Sequence, residues 1–155
     1  MPGIVFRDLT PVFADAAALR LVIDELIAPF VGTFDVIAGV EARGFVLAAA
    51  AAVVANTGVV MIRKAGKLPR ATVSREYALE YGTATLELHA DECAAGTRVL
   101  LVDDVLATGG TLEASLGLLA EAGLVAAGVS VVLELAALHG RARIGGVPFH
   151  ALQLV

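Results

Sequence analysis

The sequence holds 155 residues, 58% of them hydrophobic with no Trp, and carries a formal net charge of −5; this is an ordinary length for one domain, residues 1–155, with enough chain to bury a continuous core. The negative balance argues against a nonspecific nucleic-acid binder, and a single Cys93 allows no internal disulfide. The longest charge-free run, Gly44 to Ile62, has 19 residues, the length of a short membrane span, but Asn56-Thr57-Gly58 breaks it with a turn that would strand backbone groups in lipid; a buried helix followed by a buried strand is expected, with no membrane partner.

The first predicted element is DAAALRLVIDELIAPF, where Leu19, Val22, Ile23, Leu26 and Ile27 recur at helical spacing, Asp15 is placed to cap the start and Pro29 ends it. Asp35-VIAGV reads as a buried strand leading into the turn GVEARGF, followed by a helix from about Gly44 to Asn56. VVMIRK is a second strand whose apolar character predicts cover on both faces. From Ala65 to Tyr81 periodicity fails around Gly66 and Pro69, which predicts a long loop of the kind that serves as a lid or binding loop. ATLELH then alternates as a half-buried strand should. After a turn at Ala94-Ala95-Gly96 come the strand RVLLVDD, a helix after Thr108, the strand AAGVSVVLEL and a short last strand near FHALQLV. Strands alternating with helices predict an α/β fold with a mostly parallel, doubly wound sheet flanked by helices. Ligands of such sheets bind beyond the carboxyl ends of the strands.

The charges are unevenly distributed. No acid lies between Glu41 and Glu76, an interval holding Arg43, Arg63, Lys64, Lys67, Arg70 and Arg75, six of the eleven basic residues. An acidic protein with one basic segment suggests a local site for a small polyanion; a solvated basic loop is the plain alternative. The N-terminus has no basic region followed by an apolar one, nothing suggests export, and the cytosol is the expected compartment.

The run VLLVDDVLATGGTLEAS sits where the carboxyl-end rule points. Asp103 and Asp104 stand at the tip of a strand, and the loop after them feeds a helix. Gly109 and Gly110 let the backbone curl with no Cβ in the way, and Thr108 and Thr111 can donate hydroxyls, so a phosphate monoester would meet a ring of donors at a helix N-terminus. No Lys follows the glycines, which excludes a Walker loop, and G-x-G-x-x-G is absent. The paired acids suit a sugar diol or help to place Mg²⁺. An ordinary strand-to-helix turn, with Asp104 favouring the helix dipole, remains the other reading of the same residues.

The hydrophobic strand, two acids and L-A-T-G-G-T together resemble the phosphoribosyl pyrophosphate motif of the type I phosphoribosyltransferases. PGIVFRDLTPV, GVEARGF, IRKAGKLPR and LEYGTATLELH, in that order across nearly the whole chain, are similar to the adenine branch of that family. The resemblance implies the type I phosphoribosyltransferase-like fold with a long flexible catalytic loop or hairpin, and the conversion of adenine and phosphoribosyl pyrophosphate to AMP and pyrophosphate in purine salvage. It implies that Ala107, Thr108, Gly109, Gly110 and Thr111 bind the 5′-phosphate, that Asp103 and Asp104 face the ribose, and that Arg43, Arg63, Lys64 and Lys67 contact the pyrophosphate. Adenine is expected near Val5, Phe6, Arg7 and Leu135. Glu80 is implied as the loop carboxylate that manages the imidazole proton as N9 attacks, with Tyr81 next to it able to pack over the closed site. Read without the family, Phe6 and Leu135 are equally core residues and Glu80 is solvated surface.

Mg²⁺ is the implied cofactor, held mainly by the substrate rather than by a protein cage, and a homodimer is the implied assembly. Family members usually carry roughly one further helix, about twenty residues with its connection, before PGIVFRD; here Met1 stands directly before Pro2-Gly3, and adenine affinity is the expectation this difference bears on most. Two other readings stay open at this point: a phosphoribosyltransferase for another purine such as xanthine, and a noncatalytic module that senses phosphoribosyl pyrophosphate.

Overall fold

The computed structural model describes residues 8–78 and 82–155. Helices α1 (Thr10–Ala14) and α2 (Ala16–Ile27) open the described chain. Asp15 caps α2, its Oδ1 accepting a hydrogen bond from Ala18 N at 2.8 Å. Pro29 does not end the helix abruptly but sits at the start of a 3₁₀ turn, Ala28–Phe30, that prolongs it; proline is tolerated in a first turn because its missing N–H has no helical partner there.

Strand β1 (Val36–Val40) is buried at every position, and α3 (Arg43–Ala55) follows it. β2 (Gly58–Lys64) lies parallel to β1. β3 (Thr72–Ala78) and β4 (Thr83–His89) pair antiparallel as a hairpin. β5 (Arg98–Leu106), α4 (Gly110–Glu121), β6 (Val125–Glu134) and β7 (Phe149–Leu154) complete the chain. The seven strands form one sheet in the order β3-β4-β2-β1-β5-β6-β7. The five strands from β2 to β7 in that order are parallel, while β4 joins β2 antiparallel through Arg63↔Glu87 and Lys64↔Leu86.

Alternation along β5 explains the two cores. Val99 and Leu101 face the side covered by α4, Leu100 and Val102 the side covered by α2 and α3. All four are fully buried, each contributing about 1.5–3 kcal/mol by the usual transfer scale. The Ala block lets α3 lie close to the sheet, with Leu47, Ala48 and Ala51 wholly enclosed. Because the parallel strands share one direction, β1, β2 and β5 bring their carboxyl ends to the same edge.

Three expectations need correction. The predicted loop from Ala65 to Tyr81 contains β3, an edge strand; Arg75 and Glu76 interrupt its apolar alternation and leave Val73 and Tyr77 as the half-buried pair packed on the core. β2 is not covered on both faces: Val60 and Ile62 are buried, whereas Val59 and Met61 are each 40% exposed. β4 is more deeply buried than its alternation predicts, since Glu87 and His89 on the nominally polar face are enclosed as well.

Candidate active site

β5 ends at Leu106 and α4 begins at Gly110. In the connection, Gly109 has φ 84°, the left-handed region, and a Cβ there would meet Gly140 O at 2.5 Å. Glycine is required both by conformation and by space. Gly140 reciprocates, because a Cβ on it would collide with Ala107 O and stand 2.9 Å from Gly109 N. The 3₁₀ turn Gly140–Arg143 therefore backs the loop. Glu113 N donates to Gly109 O at 2.9 Å as the first rung of the helical ladder, so the amides of Gly110, Thr111 and Leu112 precede it and open at the positive end of the helix dipole. An anion placed there would meet those N–H groups and the Thr108 and Thr111 hydroxyls.

The two acids lie just before this loop and are nearly enclosed, Asp103 at 9% and Asp104 at 7% exposure. Asp103 Oδ1 accepts from Asp104 N at 2.8 Å. Burial, reinforced by the neighbouring Asp104 charge, pushes the Asp103 carboxyl well above the usual carboxylate range. Asp104 Oδ2 forms an ion pair with Arg43 Nε at 2.7 Å, close in charge but without hydrogen-bond alignment. Arg43 is the first residue of α3, so the GVEARGF turn reaches across from β1 to the tip of β5.

The same turn gathers the basic segment. Glu41 Oε1 accepts from Lys67 Nζ at 2.8 Å and its Oε2 from Lys64 N at 3.0 Å, with Arg63 Nε 3.6 Å away. The hydrogen bonds from Lys67 and Lys64 hold the Glu41 carboxyl below its usual range against the opposing effect of burial. Arg63 also lies over the Phe45 ring at 5.8 Å and donates to Lys67 O at 3.4 Å. From β4, Glu87 accepts from Lys67 N at 3.0 Å and Leu68 N at 3.1 Å. Burial works to raise the Glu87 carboxyl, but the backbone amides of Lys67, Gly66 and Leu68 outweigh it and leave it lowered. This capture of the Gly66–Leu68 backbone is also why Glu87 on the polar face of β4 is covered.

The structure thus brings Arg43, Arg63, Lys64 and Lys67 to one side of the acid pair and residues 107–111 to the other. Leu135 joins them, its N–H donating to Leu106 O at 2.9 Å. Asp8, the last residue of PGIVFRD and the only one of that segment among the described residues, has its carboxyl lowered by hydrogen bonds from Thr10 and, to a smaller degree, by the Arg43 charge. Val5, Phe6, Arg7, Glu80 and Tyr81 lie outside the described residues. Sequence reasoning missed Glu41, Glu87 and Gly140 as organisers of the site. Glu41 had a signal, since it is the acid that closes the acid-free basic interval; Glu87 and Gly140 had none, because their partners are 19 or more residues away in the chain.

The description "phosphoribosyl transferase domain" matches residues 13–145. The adenine phosphoribosyltransferase of Renibacterium salmoninarum is 64% identical over 151 residues, covering 97% of this chain and 83% of that protein. That of Thermobifida fusca is 52% identical over 155 residues, covering 99% and 88%. Among solved structures, the adenine phosphoribosyltransferase of Rhodothermus marinus superposes with a TM-score of 0.94 at 44% identity, over 99% of this chain and 89% of that one. The Saccharomyces cerevisiae enzyme, complexed with an imino-altritol bisphosphate and adenine, gives 0.91 at 33% identity, over 97% and 88%.

Proposed function

The chain belongs to the phosphoribosyltransferase family, in its adenine branch, and from that premise we propose how its residues divide the work of joining adenine to phosphoribosyl pyrophosphate to give AMP and pyrophosphate. The observation that carries this reading is the continuity of the cluster: Lys67 on Glu41, two residues from Arg43 on Asp104, with the phosphate loop directly beyond. One ligand carrying a monoester at one end and a diphosphate at the other matches that spread of charge.

In this reading the amides after Gly109 and the Thr108 and Thr111 hydroxyls hold the 5′-phosphate, Asp103 and Asp104 face the ribose hydroxyls, and Arg43, Arg63, Lys64 and Lys67 bind the pyrophosphate. The bond from the anomeric carbon to pyrophosphate breaks with its electron pair leaving on oxygen, where the cations stabilise the growing charge. Positive charge on the ribose develops near the Asp104 carboxylate. Adenine, held by Val5, Phe6, Arg7 and Leu135, forms the new bond through N9, and Glu80 receives the imidazole proton. Water competes as nucleophile at that carbon, so a closed site protects the reaction.

The donor set fits Mg²⁺ that arrives on the substrate. Among the described residues no three His, Cys, Asp or Glu side chains gather to hold a metal, but the Asp103–Asp104 pair, with one buried oxygen lacking a hydrogen bond, offers the one or two carboxylates that phosphate-bound Mg²⁺ commonly meets. An ion held there would supply charge neutralisation to the pyrophosphate. We read the protein as a cytosolic homodimer. Val46 and Val53 on α3 and Val59 and Met61 on β2 are 40–82% exposed, apolar surface of a kind that subunit contact removes from water; a single Cys93 suits a reducing compartment.

Incubating the protein with Mg²⁺, phosphoribosyl pyrophosphate and, separately, adenine, hypoxanthine, guanine and xanthine tests the assignment. AMP formation from adenine is expected. Nucleotide formation from an oxopurine alone would contradict it, and binding of phosphoribosyl pyrophosphate with no transfer to any base would favour a sensor.

A further inference from the structure

The basic segment contains two cations that the site does not use: Arg70, paired with Asp91 at 3.1 Å, and Arg75. On β3, Val73, Arg75 and Tyr77 alternate on the face turned to α4; Val73 and Tyr77 pack on the core, and Arg75 stands between them where the pleat calls for an apolar residue. Opposite, Gly110, Ala114 and Gly117 follow one another at helical spacing along α4. A Cβ at Gly117 would lie 2.5 Å from Arg75 Cζ, 2.6 Å from its Nε and 2.8 Å from its Nη1. The guanidinium fills the notch left by the missing side chain. Its Nη1 donates to Glu121 Oε1, one turn further along the same helix. At the other end of the contact, a Cβ on Gly110 would lie 3.6 Å from Ala78 O and 3.9 Å from Tyr77 Cδ2. Between these two contacts runs a cleft of about 270 Å³, lined in part by Arg75, Glu76, Tyr77, Glu113 and Arg143.

We infer that Arg75 is a positioning residue: seated over Gly117 and paired with Glu121, it holds the β3–β4 hairpin in register with the phosphate loop at the start of α4, and Glu80 lies in sequence between those two strands. This rests on the reading of Glu80 given above. An exposed ion pair alone would contribute little. The notch is what separates this contact from an ordinary surface pair. Glycine inside a helix is less stable than alanine, and here that cost opens the space the guanidinium occupies. The helix whose start is read as the phosphate site thereby also fixes the hairpin.

Two substitutions attack the contact from opposite sides. Arg75→Ala removes the guanidinium. Gly117→Ala keeps every charge, improves helix propensity and displaces the guanidinium, which yields easily as the end of a flexible side chain. Both should speed amide hydrogen exchange across residues 72–78 and 83–88 about two- to fivefold. Both should lower kcat by a similar factor while leaving KM for phosphoribosyl pyrophosphate within about twofold, and Gly117→Ala should not lower the thermal midpoint. Neither should lower kcat further in a Glu80→Gln background, and the Arg75→Ala/Gly117→Ala pair should be no worse than Arg75→Ala alone. Unchanged exchange, faster exchange with unchanged kcat, or kcat losses that persist in full in the Glu80→Gln background would each overturn the positioning role. Full turnover in Glu80→Gln itself would retire only the Glu80 reading; exchange would still decide whether Arg75 seats the hairpin.

Discussion

The two edges of the sheet handle charge in opposite ways. At the amino edge, Asp35 at the entry to β1 and Arg98 at the start of β5 satisfy each other in the open. Asp35 Oδ2 accepts from Arg98 N at 2.9 Å and Nε at 3.0 Å, its Oδ1 accepts from Nη2 at 2.6 Å, and Asp35 N donates to Arg98 O at 2.9 Å. At the carboxyl edge, Asp103 and Asp104 are enclosed beside each other on β5, and Asp104 Oδ2 and, on neighbouring β2, Arg63 Nε each have an ion-pair neighbour but no hydrogen-bond partner among the described residues. The first arrangement stabilises a fold. The second lowers stability and makes sense for a ligand that brings the missing partners with it.

That contrast can be pressed at four points, from the largest effect to the smallest. Glu80→Gln, which removes the proposed proton acceptor, should lower turnover by about 10²–10⁴ with little change in KM for phosphoribosyl pyrophosphate; steady-state assays with adenine check it. Gly140→Ala drives a Cβ into the backbone behind the phosphate loop, where neighbouring atoms cannot swing aside. Misplacing the loop by an ångström or less should reduce kcat/KM by about 10–10², and denaturant titration should show a loss of about 1–3 kcal/mol.

The remaining two form a mirrored pair. The raised carboxyl of Asp103 means that the unfolded chain ionises first as pH climbs past the ordinary value near 3.8. Its contribution is therefore complete below that pH and is lost as pH rises toward the folded-state value. Asp103→Asn removes this penalty, so the variant should be more stable at neutral pH by about 1 kcal/mol and less active. Asp35 behaves oppositely, because its hydrogen bonds from Arg98 bring its carboxyl down to about 2. Its contribution is present above the unfolded value and disappears as pH falls from about 4 toward 2. Asp35→Asn should slightly lower the thermal midpoint at pH 7, converge with the parent in acid, and leave turnover unchanged. An active, destabilised Asp103→Asn would erase the difference between the edges.

The sequence made the ligand edge legible where one short segment carries both structure and chemistry. VDDVLATGGT states its strand, its acids and its glycine bend in ten consecutive residues, and the alternation of strands and helices led to the parallel sheet. It was silent where meaning depends on a distant partner. Arg75 hides β3 because its place in an edge strand follows from Gly117 and Glu121 on α4. The alternation of β4 predicts a solvent-facing Glu87, whereas its carboxylate accepts from the distant Lys67 and Leu68 amides. Val59 and Met61 promised a doubly covered strand, since a run of apolar residues does not distinguish a second protein layer from a bare face.

The most direct measurement is a crystal structure with Mg²⁺ and a non-reacting analogue of phosphoribosyl pyrophosphate. The expected density has the 5′-phosphate on the amides of Gly110, Thr111 and Leu112, and the diphosphate against Arg43, Arg63 and Lys67, with Lys67 drawn away from Glu41. A diphosphate bound elsewhere, with those three cations still on Glu41 and Asp104 and the Gly109 bend vacant, would contradict it.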